Sequence, residues 1–326
     1  MYKLSIDAMS GDLGSPIVVK ACQAFLTRHD DVELYVTGKK EELTELEGLK
    51  NVNIVDARDL VGMNDGIMSV RRKKESSMVK AVTLANDGIT DAVVSCGSTA
   101  AFYTSAMLFL KRIEGVEKSC LMAVVPTYNG KGVCMLDVGA NALNTAEQLH
   151  DFAVMGNVYA KNVKGIANPK VALLNIGAED KKGDEVHVET HKLLTADESI
   201  NFVGNIEGRE ILLGDVDVIV TDGFSGNIAL KTIEGTASLV MTMIKESLLS
   251  TFVSKIGALL IKKQMKELKS KFDYKSVGGA LMVGFEKAVV KAHGSSDEVA
   301  FLNAMELAYT MVKVDVVSQM REGLKG

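Results

Sequence analysis

Six stretches of this sequence place Asp, Ser, Thr, Asn and Gly together directly after apolar, β-branched runs: Asp7–Asp12, Ser95–Thr99, Asp137–Asn141, Asn175–Glu179, Thr221–Asn227 and His293–Ser296. In an open α/β sheet such loops lie at the carboxyl ends of strands, where ligands bind and glycine lets the backbone approach them closely. Hydroxyl groups and helix N-termini at Ser98–Thr99, Ser225–Asn227 and Ser295–Ser296 are suited to hold an anion. Any one of these loops is equally well read as a capped strand-to-helix turn. Six together point to a shared ligand crevice.

Other chemistries fit less well. Neither the G-x-G-x-x-G dinucleotide fingerprint nor the G-x-x-x-x-G-K-[ST] phosphate loop occurs. His187 and His191 have the i, i+4 spacing that can chelate zinc from one helix face. The zincin pattern, however, needs Glu directly after the first His, and Glu189 comes two later in a Lys- and Asp-rich stretch. A solvated helix face is the reading there, and no metal is expected. Cys22, Cys96, Cys120 and Cys134 form no C-x-x-C pair and lie among apolar neighbours, which suits reduced, buried thiols.

The elements that must carry these loops alternate. Strand patterns run over Lys3–Ile6, Val32–Thr37, Val52–Asp56, Ala92–Ser95, Leu121–Val125, Val133–Val138, Val171–Ile176, Asn201–Val203, Val216–Thr221 and Leu281–Val283. Several are continuous apolar runs, as in strands covered on both faces. Helical periodicity runs over Ile17–Thr27, Met78–Asn86, Ala100–Lys111, Ala146–Lys161 and the long stretches after Asn227 and Asp297. The expectation is a doubly wound, mostly parallel α/β sheet in one unit over 1–326, with two subdomains at most sharing it.

With 326 residues, 47% of them hydrophobic, the chain can bury a large core without disulfide or metal staples. A net charge of −5 offers no general basic excess for nucleic acid. No run of about 18 apolar residues is present, and MYKLSIDAM enters a strand pattern without a basic, then apolar leader. A cytoplasmic protein is expected.

Taken in order, nine stretches resemble the bacterial phosphate acyltransferases (PlsX) of fatty-acid and phospholipid synthesis. They are IDAMSGDLGSP (Ile6–Pro16), RRKKESSM (Arg71–Met78), CGSTAA (Cys96–Ala101), LDVGAN (Leu136–Asn141), LLNIGAEDKKGDE (Leu173–Glu185), FVGNIEGR (Phe202–Arg209), TDGFSGNIALKTIEG (Thr221–Gly235), GGALMVGF (Gly278–Phe285) and AHGSS (Ala292–Ser296). The resemblance implies that acyl-ACP and inorganic phosphate give acyl phosphate and free ACP, the acyl phosphate passing to a glycerol-3-phosphate acyltransferase. It also implies a three-layer α/β/α fold akin to isopropylmalate dehydrogenase and phosphotransacetylase, a homodimer, and no redox cofactor or obligatory metal. Alternatives are a metal- and NAD-dependent decarboxylating dehydrogenase of related fold, or a non-enzymatic ACP or membrane scaffold. The sequence departs from the family pattern in DAMSGD, in GGALMVGF and at Asp184, which bears on the shape of the acyl channel.

Under that resemblance the chemistry needs phosphate aimed at the thioester and the oxyanion and thiolate stabilised. Lys182 is the first candidate for phosphate or developing charge, Asn227 for donation to phosphate or oxyanion, and His293 for protonating the thiolate or orienting phosphate. Lys182 also reads as a surface lysine, Asn227 as a helix N-cap and His293 as a structural histidine. Asp7, Gly11, Asp12, Ser98, Thr99, Asp137, Asn141, Asn175, Gly177, Asp222, Gly223, Gly226, Gly294, Ser295 and Ser296 complete the expected phosphate and substrate loops. With no G-x-S-x-G elbow or Ser-His-Asp order, direct attack by phosphate is expected rather than an acyl-enzyme. Cys96 is read as packing.

A helical arm is expected over 228–275, continuous in pattern from Ile228 to Phe272 with a break near Lys255–Gly257. Leu249, Phe252, Val253, Ile256 and Leu260 fall on one face, and Ile261, Met265, Leu268 and Phe272 on a second, flanked by Lys262, Lys263, Lys266 and Lys269. The arm is a candidate for dimerisation. Its basic face, together with Arg71, Arg72 and Lys73, is a candidate for contact with acidic ACP, and its Leu248–Ile261 tip for peripheral contact with a membrane.

Overall fold

The computed structural model describes residues 1–66, 68–271 and 279–325, the side chains of 269–271 excepted. Eleven strands form one sheet: β1 (Tyr2–Asp7), β2 (Val32–Gly38), β3 (Val52–Asp56), β4 (Ala92–Ser95), β5 (Cys120–Val125), β6 (Val133–Leu136), β7 (Lys170–Leu174), β8 (Asn201–Ile206), β9 (Val218–Val220), β10 (Ala280–Val283) and β11 (Ala288–Lys291). Their order is β3-β2-β1-β4-β11-β10-β5-β6-β9-β7-β8.

Alternate residues of each strand enter different cores, which is why the strands read as continuously apolar. On β9, Val218 and Val220 join one core and Ile219 the other. On β6, Cys134 and Leu136 face the first core, Val133 and Met135 the second. The first face is covered by α1 (Ser15–Leu26), α5 (Ala146–Asn162), α10 (Glu298–Lys313) and α11 (Val316–Gly323), through Phe25, Phe152, Phe301 and Met320. The second lies under α3 (Ser77–Asn86), α4 (Thr99–Phe109) and the start of α7 (Gly223–Leu248), through Met78, Phe102 and partly buried Leu230. The result is a three-layer α/β/α sandwich, as the alternating pattern predicts.

Local signals set the helix ends. Thr145 and Gln148 form a reciprocal capping box at α5, Asp297 accepts the Ala300 N–H at α10, and Pro16 opens α1. Two short helices complete the body: α2 (Ser69–Arg72) and α6 (Glu185–Ala196).

One feature of the sheet departs from expectation. The parallel set β3-β2-β1-β4-β11 and the parallel set β6-β9-β7-β8 run in opposite directions, because β10 is antiparallel to β11 and β5, and β5 antiparallel to β6. The six loops therefore form two groups, one on each half of the sheet, rather than one row. Strand β11 is absent from the sequence expectation: AVVK is short, and no turn residue separates it from Glu286 and Lys287.

The arm follows the body as α7, α8 (Phe252–Leu260) and α9 (Lys262–Lys271), with α8 packed on α7. Its breaks fall at Leu249–Thr251 and Ile261, not at Lys255–Gly257, which lies inside α8. The reason is local: Thr251 and Ser254 form a capping box that starts a new helix. Leu249 consequently ends α7 instead of sharing the α8 face with Phe252, Val253, Ile256 and Leu260. Phe272 and Gly278 lie outside the described residues, as does the Lys269 side chain.

Candidate active site

A cavity of about 1330 Å³ opens between α4, β5 and α7, with α8 and α9 closing its outer side. Leu121, Ala123, Val125, Leu230, Ile233 and Met241 give it an apolar wall, and Thr99, Asn227, Lys291, His293 and Ser296 gather on its lining as polar groups. These polar residues come from both halves of the sheet. Thr99 follows β4, Lys291 ends β11 with His293 and Ser296 just beyond, and Asn227 stands in the first turns of α7.

The β11 end is held in place by its neighbours. Lys291 lies in register with Ser95 of β4 on one side and Ala280 of β10 on the other. The Asp12 N–H donates to the Gly294 carbonyl at 2.9 Å, tying the β1 loop to the β11 loop. A Cβ on Gly11 would collide with the Cys96 sulfur, so that glycine allows the loops to close together. Burial pushes the Cys96 thiol up to about 12, in keeping with packing. The His293 Nδ1 accepts the Ser295 N–H at 3.2 Å and lies 3.0 Å from the Ser295 hydroxyl. A neutral ring in that geometry carries its proton on Nε2.

Two buried aspartates organise the loops. Asp7 accepts the hydroxyls of Ser77 and Ser95, each at 2.6 Å. Asp137 accepts the N–H groups of Leu121, Gly139, Ala140 and Asn141 at 2.9–3.1 Å, and the Asn141 side-chain amide at 2.8 Å. Burial raises its pKa, while those donors pull the other way. The second amide hydrogen of Asn141 goes to the Ser119 carbonyl. The Asp137 carboxylate and the Asn141 amide NH2 thus hold the surrounding loop together.

The same is true around α7. Asp222 caps the helix by accepting the Ser225 N–H at 2.9 Å, so Asn227 is not the cap; it lies inside the helix and lines the cavity. Gly223 and Gly226 are buried where a Cβ would run into Asn141 and the Asp137 carbonyl. They seat α7 against the 137–141 loop. At Gly294 a Cβ would meet the flexible end of the Met63 side chain rather than backbone. Ser98 occupies the N-cap position of α4 but its hydroxyl caps nothing, and Ser295 is exposed beside His293.

Lys182 stands apart from this cavity. It is exposed on the loop between β7 and α6, its stem beside Gly177, and Asn175 binds its carbonyl at 2.9 Å. The first turn of α6 approaches α7 through His187, whose Nδ1 lies 2.7 Å from Asp184 and whose Nε2 lies 3.9 Å from Asp222. His191 faces Asp180 at 3.5 Å. The two histidines therefore clamp loops to carboxylates, and among the described residues no group of three or more His, Cys, Asp or Glu is placed to hold a metal. Arg71 and Arg72 are exposed on α2, whereas Lys73 is folded onto its own loop, 2.8 Å from Asp65. On the arm, Leu249, Lys262 and Lys266 line the cavity, while Lys263 and Phe252 are exposed and do not.

Lys291 was not among the expected site residues. It is only 6% exposed, and burial lowers its pKa to about 8. The available signal was a lysine ending an apolar strand immediately before Ala292–Ser296.

The family model of the fatty acid synthesis protein matches residues 2–319. A phosphate acyltransferase of Streptococcus agalactiae is 42% identical over 323 residues, covering 98% of each chain. One from Streptococcus pneumoniae is 42% identical over 329 aligned positions, covering 100% of both. Among solved structures, the EutD phosphotransacetylase from Staphylococcus aureus superposes with a TM-score of 0.62 at 15% identity, over 95% of this chain and 94% of the other. A branched-chain phosphotransacylase from Enterococcus faecalis gives a TM-score of 0.57 at 16% identity, over 96% and 100%. The structural likenesses speak for the fold, and the full-length sequence relatives speak for the chemistry: the chain belongs to the fatty acid synthesis protein family and is a phosphate acyltransferase.

Proposed function

We propose that this phosphate acyltransferase takes its acyl group from the thioester of an acyl carrier protein and releases acyl phosphate and the free carrier thiol. The observation that carries the reading is the large cavity whose lining joins an apolar wall to polar Thr99, Asn227, His293 and Ser296. Its volume exceeds the roughly 300–1,000 Å³ of most small-ligand pockets, which suits a long acyl chain. An oxygen of the phosphate dianion attacks the thioester carbon. The C–O bond forms, the C–S bond breaks, and the proton carried by phosphate ends on the departing sulfur, so atoms and charge balance without a cofactor. Asn227 donates to the tetrahedral oxyanion, and His293 Nε2–H faces the developing negative charge or passes the proton to sulfur. Lys182, on the adjoining loop, meets the negative carrier or phosphate as it arrives.

Supporting features extend to partners. Between Glu246 and Lys275 the sequence carries seven lysines against three acids, and Lys262, Lys263 and Lys266 are exposed on α9, which suits contact with an acidic carrier protein. Exposed Leu239 and Met243 on α7 provide an apolar seam for a second copy of the chain. The α8 tip suits peripheral contact with a lipid surface; among the described residues no helix is long and apolar enough to cross a membrane. Acyl phosphate is a reactive mixed anhydride, consistent with transfer onward to a glycerol-3-phosphate acyltransferase. Thiol release from acyl carrier protein that rises with phosphate concentration, with hydroxylamine trapping the product, is the expected result. Absence of both in folded enzyme overturns the reading.

A further inference from the structure

We propose that Lys291 and Ser296 form the anion anchor that holds the phosphate nucleophile, an inference that rests on the acyl-transfer reading above. Lys291 carries a buried charge with no ion-pair partner among the described residues, on which the carboxylates of Asp7 and Asp12 act only from beyond ion-pair distance. Lys291 is almost fully buried at the end of β11 and lines the cavity. Its ammonium has three donors, yet its hydrogen bond is to the carbonyl of Ala292. Among the described residues no carboxylate comes within 4 Å of it. A buried, unpaired ammonium is costly unless an anion joins it.

The second observation is independent. Ser296 lines the same cavity, is 2% exposed, and its Oγ has no hydrogen-bond partner among the described residues. A buried hydroxyl without a partner needs an explanation, and a ligand oxygen supplies one. Two further donors of a lysine at the end of β11 and one hydroxyl on the loop that follows, both on the lining of one cavity, offer hydrogen bonds to the oxygens of phosphate.

The surroundings allow this assignment. The carboxylate of Asp7, on β1, is occupied by the hydroxyls of Ser77 and Ser95. Asp12 is exposed at the rim of the β1 loop. The Cys96 thiol, on the β4 loop, is held neutral through the physiological range by burial. His293, two residues beyond Lys291, is the remaining titratable group on the same loop. With burial lowering its pKa to about 8, the lysine loses its charge in mildly alkaline solution.

The test uses the full chain with inorganic phosphate alone as probe, measured by equilibrium dialysis. Wild-type affinity is expected to fall by more than about tenfold between roughly pH 7.5 and 9.5, as the ammonium deprotonates. Lys291→Arg, whose guanidinium stays charged, is expected to bind phosphate with a nearly flat profile across that range. Lys291→Met is expected to lose about tenfold or more at the lower pH, and Ser296→Ala a few-fold. Equal affinity of wild type and Lys291→Met overturns the proposal. If Lys291→Met does not fold, identical pH profiles for wild type and Lys291→Arg overturn it instead. The two readings fail separately. Phosphate binding through Lys291 without thiol release from acyl carrier protein removes the carrier substrate and leaves the anchor standing. Thiol release whose phosphate KM is unmoved in these variants removes the anchor and leaves the reaction standing.

Discussion

The backbone N–H of Ser295 points at Nδ1 of His293 from 3.2 Å, so the loop itself selects the ring nitrogen that carries the proton. Nε2–H is then the donor offered by a residue that lines the cavity. His293→Ala is expected to lower phosphate-dependent thiol release by about a hundredfold or more, in the range for loss of a proton-handling or oxyanion-binding group. Phosphate binding should change little, because the ring is not part of the Lys291 and Ser296 anchor. His293→Gln, which restores a donor at similar reach, should recover part of the rate. A variant that retains full turnover removes His293 from the chemistry.

Lys182 offers the contrasting case. It is exposed and outside the cavity lining, so Lys182→Ala should leave the dialysis affinity for phosphate within about twofold of wild type. Its effect should appear in the KM for acyl carrier protein and weaken as salt rises, since exposed charges are screened over about 10 Å at 0.1 M ionic strength. Loss of phosphate affinity in this variant would place the lysine at the nucleophile after all.

The glycines of α7 make a stability prediction with an internal control. At Gly226 a Cβ would drive into the Asp137 carbonyl, a backbone atom that cannot swing away. Gly226→Ala is expected to destabilise the fold by about 1–3 kcal/mol in denaturant titration, the ordinary cost of overpacking. At Gly235, further along the same helix, a Cβ meets nothing within 4 Å. Gly235→Ala is expected to stabilise by about 0.5–1 kcal/mol, through the helix preference for alanine. Equal effects at both positions contradict the tight seating of α7 on the Asp137 loop.

These cases show which parts of the molecule are legible in the sequence. The sandwich was readable because apolar runs such as Val133–Leu136 are buried on both faces, and that leaves a mark in composition. His293, Ser296 and Asn227 stand out in the sequence as polar side chains after apolar strands, and the structure sets all three on the cavity lining. The opposite direction of the two half-sheets was not readable: it depends on which neighbours β5 and β10 choose, a non-local pairing that local pattern does not encode. Asn141 and Asn175 carry the same composition signal, and that their amides donate to the Ser119 and Lys182 carbonyls is a tertiary fact local pattern does not encode. Lys291 is illegible in the sequence for the opposite reason. A lysine in sequence looks solvated, and only β4 and β10 on either side reveal that it is buried.

Asp151 on α5 gives a pH-dependent prediction away from the site. Burial raises its pKa to about 6, with Glu117 and Glu147 adding to the rise and His150 opposing it. The folded protein therefore holds this proton more tightly than the unfolded chain. The group's contribution to stability is complete below the ordinary carboxylate range and is lost as pH climbs through about 6. Asp151→Asn removes that loss. The variant should melt above wild type near neutral pH, and the gap should close as the pH is lowered towards the ordinary carboxylate range. A gap that widens on acidification reverses the sign and refutes the account.

The arm supplies the last prediction. On α8, Phe252 and Leu260 are each 79% exposed and Val253 78%, which is unusual for side chains that gain about 1.5–3 kcal/mol on full burial. Lysines at 262 and 263 follow directly, a pairing of apolar face and basic flank that favours anionic lipid surfaces. The double variant Phe252→Glu and Leu260→Glu should lose sedimentation with anionic vesicles. Thiol release from acyl carrier protein in solution should remain within about twofold, since neither side chain lines the cavity. The α7 seam at Leu239 and Met243 is untouched, so sedimentation velocity should report the same oligomeric state as wild type. Vesicle binding that survives both charges rules out the tip as the lipid contact, and loss of the oligomer instead assigns the α8 face to the partner chain.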